Sequence, residues 1–205
     1  MLAIVDYDAG NLRSVVRAVE HAGGAPVVCA NPADLQRANA VILPGVGSAA
    51  QAMERLQQTG LADALREVAR RGVPLLGVCL GLQLLLEQSE EGGPDGTRCL
   101  DLLPGVVRRF PAGQKVPHMG WNTVAQCAAH PLWDGIDDHS YFYFVHSYYA
   151  DAHASTAAGM TEYTVPFCAA LARENVLATQ FHPEKSGADG LRLYANFLRV
   201  AGLCC

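Results

Sequence analysis

The stretch Pro74-Leu75-Leu76-Gly77-Val78-Cys79-Leu80-Gly81-Leu82-Gln83 decides the reading of this chain. An apolar run ends at a cysteine flanked by two glycines, and leucines at helical spacing follow. The pattern is a strand–turn–helix elbow of G-x-C-x-G form, the thiol counterpart of the serine elbow of hydrolases. A turn that sharp needs small residues on either side. It lifts Cys79 clear of the sheet and sets it at a helix N-terminus, where partial positive charge favours a thiolate. The competing reading is plain packing, because a free cysteine also behaves as a small buried hydrophobe.

Outward from the elbow, the first half alternates strand and helix. Leu2 to Val5, Pro26 to Cys29, Ala40 to Leu43 and Val73 to Val78 read as strands. Between them, Leu12, Val15, Val16 and Val19 mark one helical face, Asn31-Pro32 opens a short capped helix, and Leu61, Leu65 and Val68 mark another. This alternation predicts an α/β fold: a three-layer sandwich on a mostly parallel, doubly wound sheet. After about residue 100 the texture changes. Val106 to Phe110, Thr123 to Cys127, Tyr141 to Tyr149 and Phe167 to Ala172 read as strands with little helix between them. Glu174-Asn175 reads as a hairpin turn into Val176 to Gln180, and Leu191, Tyr194, Ala195 and Leu198 mark a last helix. An antiparallel insertion in the second half of one domain, residues 1–205, is the expected organisation.

Bulk properties bound the function. The chain has 205 residues, half of them hydrophobic, with a formal net charge of −5. The basic residues do not cluster, so nucleic acid is not an expected partner. No apolar run is long enough for a membrane span, and the N-terminus reads as a core strand without a basic leader. The seven cysteines are expected as reduced thiols in a cytoplasmic protein. Cys204 and Cys205 are expected to form an exposed, dispensable tail.

A thiol nucleophile needs a base, and the base needs an orienting partner. His182 stands in Phe181-His182-Pro183-Glu184 at the end of a predicted strand. Residues two apart on extended chain share a side, and Pro183 keeps the segment from turning helical. The Glu184 carboxylate can therefore reach the imidazole. His118, His130, His139, His146 and His153 lack such a carboxylate, and His21 lies on an early helix. Pro44-Gly45-Val46-Gly47 follows the third strand. A tetrahedral intermediate needs two backbone N–H groups aimed at its oxyanion. This loop, through Val46 and Gly47, and the amide of Leu80 are the candidates. Each segment also has a bland reading as turn or loop. Their joint arrival at the carboxyl ends of strands is what points to a site. Gln83, one helical turn after Cys79, either faces the same pocket, where it could hydrogen-bond a polar substrate, or is a solvated helix residue. No Cys/His pair has zinc-ligand spacing, and no cofactor is expected.

Together, Gly77-Val78-Cys79-Leu80-Gly81-Leu82-Gln83 and Phe181-His182-Pro183-Glu184 resemble the signature of the class I (triad) glutamine amidotransferases, over nearly the whole chain. Within that family, Asp6-Tyr7-Asp8-Ala9-Gly10-Asn11-Leu12, Pro117-His118-Met119-Gly120-Trp121-Asn122, Tyr143-Phe144-Val145-His146-Ser147-Tyr148-Tyr149 and Lys185-Ser186-Gly187 resemble the glutaminase subunits of imidazole glycerol phosphate synthases. Anthranilate-synthesis amidotransferases share the elbow but usually carry His where Leu82 stands. One departure is Asp8, where this branch typically has glycine.

The resemblance implies attack of Cys79 on the glutamine amide, with His182 and Glu184 completing a triad. It implies that Gly45, Gln83, Glu91, Ser147 and Tyr148 help hold glutamine, and that Asn11, Trp121 and Lys185 lie at a partner interface or ammonia exit. The implied partner is a cyclase subunit with a (β/α)₈ barrel. It uses the ammonia to convert a phosphoribulosyl intermediate (PRFAR) to imidazole glycerol phosphate and AICAR in histidine biosynthesis. Two other readings compete. An α/β-hydrolase acyl hydrolase would place its acid before its histidine. A binding module would tolerate a degenerate triad, which this sequence does not show.

Overall fold

The computed structural model describes residues 1–113 and 115–203; the predicted tail Cys204-Cys205 lies outside the described residues. Five strands run parallel in the order Pro26–Cys29, Leu2–Val5, Ala40–Leu43, Leu75–Val78, Val176–Thr179. Beyond Val176–Thr179 the same sheet continues with antiparallel partners, Val165–Arg173, Tyr148–Ala152 and Gly105–Arg109. The α/β sandwich with an antiparallel second half is therefore the architecture observed.

Four of these parallel strands are short and buried on both faces, as sheets covered by helices on two sides require, while the edge strand Pro26–Cys29 exposes Val27 and Val28. Alternate side chains serve two cores. Ala3, Val5, Val41 and Leu43 pack with Leu56, Leu65 and Leu82, from the helices Ala49–Gln58, Leu61–Arg70 and Leu80–Leu85. Leu2, Ile4, Ala40 and Ile42 pack with Val15, Val19, Leu193 and Phe197, from the helices Leu12–His21 and Gly187–Val200. The Asn31 side chain caps its short helix by accepting from the Asp34 amide, 3.2 Å, as its type suggests.

Two predicted elements are corrected and one helix is added. The strand expected at Thr123 to Cys127 is instead His118–Thr123, followed by a two-residue bridge at Ala125–Gln126. Tyr141 to Tyr149 is two strands, Tyr141–His146 and Tyr148–Ala152, with Ser147 as the joint. The first pairs only with His118–Thr123 as a separate ribbon, and the second belongs to the main sheet. A uniform aromatic run hides that change of sheet. The helix Ala49–Gln58 goes unannounced because Ala49, Ala52, Met53 and Leu56 form a face half made of alanine.

The elbow is built by close backbone approach. Cys79 has φ 55° and ψ −107°, a conformation that L residues occupy at a cost and that clusters at functional sites. A methyl group on Gly81 would overlap the Leu43 carbonyl oxygen, and one on Gly77 would meet Leu85 and the Gly81 carbonyl at 2.7–2.8 Å. Backbone cannot yield as a side chain can. Gly81→Ala is therefore expected to destabilise the fold by about 3 kcal/mol and lower Tm by about 10 °C, read by thermal denaturation; an unchanged Tm would contradict the packing.

Candidate active site

Three loops meet at the carboxyl edge of the parallel strands, where a doubly wound sheet binds ligands. Leu43 leads into Pro44 to Gly47, Val78 into Cys79, and Thr179 into Gln180 and His182. The Cys79 amide donates to the Thr179 carbonyl at 2.7 Å, locking the elbow to the neighbouring strand. Between the loops lies a cavity of about 380 Å³. Val46, Gly47, Cys79, Leu80, Gln83, Glu91, Ser147, Tyr148 and His182 line it, all singled out from the sequence, together with Pro117, Val145 and His146. Gly45 stands behind this wall, and Glu184 stands behind His182.

The His182 and Glu184 side chains are fully buried, with Nδ1 2.8 Å from Oε1. Glu184 also accepts from Asn11 Nδ2 at 3.0 Å and from the Tyr194 hydroxyl at 3.4 Å. Burial alone raises a carboxyl and lowers an imidazole. Here burial is outweighed in both groups. Cys79 and Glu184 together lift His182 to about 10, and His182, with Asn11 assisting, holds Glu184 below the usual carboxylate range. Among the described residues, no hydrogen bond of good geometry reaches the buried His182 Nε2, although Cys79 is close enough to raise its titration. Nε2 is the ring atom left free for a proton transfer. Tyr7, whose hydroxyl donates to the Pro44 carbonyl at 2.8 Å, is pushed up by burial and then by Cys79.

Several roles are sharpened by the contacts. The Leu80 N–H, a candidate oxyanion donor, donates to the Gly45 carbonyl at 3.3 Å. A trans peptide points its C=O and N–H opposite ways, so the Val46 N–H faces away from Leu80. The oxyanion donors are thus not assembled in this conformation. Gln83 spends both amide protons inside the protein, on the Tyr148 carbonyl at 3.0 Å and Gln180 Oε1 at 3.1 Å. Its own oxygen is what remains for a ligand. Glu91 lines the cavity but also accepts from the Ala49 amide at 2.6 Å. It thereby caps the helix that follows the glycine loop, a position its Ser48 N-cap leaves without a side-chain bond.

Asn11 is not a simple surface residue, since it reaches the buried Glu184 carboxylate. Trp121 and Lys185 lie outside the cavity. Trp121 is 55 % exposed, beside Met119 at 63 % and Tyr141 at 61 %. Its ring sits 6.1 Å from Tyr143, over which Lys185 Nζ lies at 5.7 Å. Asp8, at the usual glycine position, keeps a glycine-type backbone with φ 73° and pairs with Arg55. Aspartate tolerates that conformation better than most residues. Sequence reasoning missed His146, His118 and Gln180. All three are buried polar side chains; His118 and His146 are weighed from sequence only as bases, and nothing local in the chain marks their contact with each other.

Comparison with known proteins agrees with this geometry. The family model for class-I glutamine amidotransferases matches residues 3–201. "Imidazole glycerol phosphate synthase subunit HisH" of Dehalococcoides mccartyi (strain CBDB1) is 47 % identical over 202 residues, 98 % of each chain. The protein of that name from Moorella thermoacetica is 52 % identical over 197 residues, 96 % of this chain and 93 % of its own. Among solved structures, a glutamine amidotransferase crystal structure superposes with a TM-score of 0.77 at 21 % identity, covering 98 % of each chain, which bears on the fold alone. The chain belongs to the class-I glutamine amidotransferase family, in the branch of imidazole glycerol phosphate synthase HisH subunits.

Proposed function

We propose that the protein is the glutaminase subunit of imidazole glycerol phosphate synthase and that Cys79, His182 and Glu184 are its catalytic triad. The observation that carries this is the buried Glu184–His182 pair beside Cys79 on one wall of the cavity, with no hydrogen bond of good geometry at His182 Nε2 among the described residues. In the first half-reaction the Cys79 sulfur, its proton held by His182, attacks the side-chain amide carbon of glutamine. The carbonyl oxygen becomes an oxyanion. Collapse breaks the C–N bond, and ammonia leaves with the proton from His182 Nε2. The remaining thioester is attacked by water, which gives a proton to His182 as it adds. Loss of the sulfur then yields glutamate and returns the proton to the Cys79–His182 pair. Glu184 holds the imidazole tautomer throughout.

Glutamine is held by Gln83 through its free oxygen, by Glu91, and by the Ser147–Tyr148 segment, with Gly45 shaping the loop. Stabilising the oxyanion needs the Gly45–Val46 peptide to turn over. That turn frees the Leu80 N–H and brings the Val46 N–H, next to Gly47, toward the cavity. One such donor contributes about 10²–10³ in kcat, so the subunit alone is a slow glutaminase and the liganded cyclase subunit accelerates it. Free ammonia would protonate in bulk water, so it passes directly to the cyclase, which forms imidazole glycerol phosphate and AICAR. The exit lies near Asn11, Trp121 and Lys185, where the exposed Met119, Trp121 and Tyr141 side chains offer an apolar docking face. A single amidotransferase domain spans the chain, and its workplace is the cytoplasm. Among the described residues no helix is long and apolar enough to cross a membrane.

The test is a glutaminase assay with and without the cyclase subunit and its ligand, paired with a glutamine analogue carrying an electrophile at the amide carbon. Stimulation by the liganded partner and labelling of Cys79 alone are expected. Labelling of another cysteine, or turnover of simple esters in preference to glutamine, would overturn the assignment.

A further inference from the structure

Four buried polar side chains outside the triad form one connected path to the nucleophile. His118 Nδ1 lies 3.0 Å from His146 Nε2, and His146 Nδ1 lies 2.7 Å from the Tyr148 carbonyl oxygen. A carbonyl only accepts, so the proton of His146 is on Nδ1 and its Nε2 accepts. His118 must then donate from Nδ1, which leaves its Nε2 facing the Asn122 amide at 3.5 Å. Both tautomers are thereby fixed, and both rings are neutral. The surroundings agree. The His118 ring is stacked between Phe144, at 5.0 Å, and Tyr163, at 4.1 Å. Burial lowers His118 to about 4. For His146, burial lowers it to about 3, the Tyr148 carbonyl opposes that, and His118 and His182 add to it.

The path continues past Tyr148. Its carbonyl also accepts from Gln83, whose amide is held by Gln180, and Gln180 Nε2 sits 3.7 Å from the Cys79 sulfur. The Tyr148 carbonyl thus accepts from two donors, Gln83 Nε2 and His146 Nδ1. It belongs to the segment that begins where the chain leaves the ribbon for the main sheet, with Ser147 as the joint.

We propose that His146, held in a single tautomer by His118, is a positioning residue for glutamine binding: it fixes the Tyr148 carbonyl and with it the Ser147–Tyr148 wall of the cavity. This rests on the reading of Ser147 and Tyr148 as substrate contacts. His146 does not touch the reacting atoms, so its effect falls on KM and not on the intrinsic reactivity of Cys79.

The test compares His146→Phe and His146→Asn in the complex with the cyclase subunit. Phenylalanine keeps the ring and removes both nitrogens. Asparagine loses the ring but places an amide N–H close to where Nδ1 stood. His146→Phe is expected to raise the glutamine KM about tenfold, as one carbonyl bond is lost, with kcat within about threefold. His146→Asn is expected to recover most of that KM despite a lower Tm. Alkylation of Cys79 by iodoacetamide, which reports thiol reactivity and does not require the glutamine backbone contacts of Ser147 and Tyr148, should change by less than about twofold in either variant. A purely packing role predicts the reverse order, with the asparagine variant worse in every readout. His118→Phe, which keeps the stack with Phe144 and Tyr163, should raise KM in the same direction and serves if His146→Phe does not fold. A native KM in the phenylalanine variants, or an asparagine variant no better than phenylalanine, overturns the inference. A wild-type complex without glutaminase activity would instead refute the function on which it rests.

Discussion

Cys79→Ala is expected to abolish glutamine-dependent formation of imidazole glycerol phosphate, by a factor on the order of 10⁴ or more, while ammonium salts still support the cyclase. In the proposed mechanism the sulfur is the atom that forms the thioester. The Tyr7 hydroxyl is no substitute, because burial and Cys79 push its titration up and its proton is committed to the Pro44 carbonyl. The substitution is also mild structurally. It removes one weak acceptor, 3.7 Å from Gln180 Nε2, and leaves the elbow backbone and its 2.7 Å bond to Thr179 in place. Loss of activity with an intact fold and an intact ammonia reaction therefore isolates the nucleophile. Retained glutamine-dependent turnover would sink the mechanism. The two rates are measured side by side on the purified complex.

Glu184→Gln should have the second largest effect, lowering kcat by about 10³–10⁴. The carboxylate is surrounded by donors only: His182 Nδ1, Asn11 Nδ2 and the Tyr194 hydroxyl. Tyr194 is kept protonated by burial and then by the carboxylate itself. A glutamine side chain would set an N–H₂ group against one of them, and the His182 tautomer would no longer be enforced. Because both partners are buried, the fold should also lose about 3–5 kcal/mol.

The pH dependence of this pair has a definite sign. His182 is raised in the folded state from its ordinary 6.5 to about 10. Its contribution to stability is fully present below 6.5 and is lost as pH rises through 10. Glu184 is lowered, so its contribution is present above 4.5 and is lost as pH falls. Urea denaturation from pH 6 to 10 should show wild-type stability declining across the window. The decline should be shallower in Glu184→Gln, which keeps only the share due to Cys79. Equal slopes, or a kcat within tenfold of wild type, would contradict the assigned role.

Much of the site is legible in the chain because its parts are local. The elbow shows itself through Gly77 and Gly81, which sit where backbone crosses backbone. His182 and Glu184 are two residues apart across a proline, so extended geometry alone brings them together. The helix of Gln83 starts at the nucleophile, so the reading that places it in the cavity is also available from sequence. Harder to read were elements with ambiguous composition, such as the alanine-rich Ala49–Gln58 helix and the aromatic run that changes sheets at Ser147.

By itself, then, the sequence marked the proposed nucleophile, its proposed base, the loop proposed to serve the oxyanion and the strand ends that carry them. Each depends on dihedral limits or residue spacing within a few positions. Only the tertiary structure decided how the remaining polar groups are committed. Glu91 caps a helix 42 residues away, Gln83 gives its protons to Tyr148 and Gln180, and the Leu80 amide is taken by Gly45. His118 and His146 meet because the ribbon register sets them directly opposite each other. Most buried donors and acceptors find a partner, but which one they find depends on strand register and chain crossing, which residue type alone does not specify.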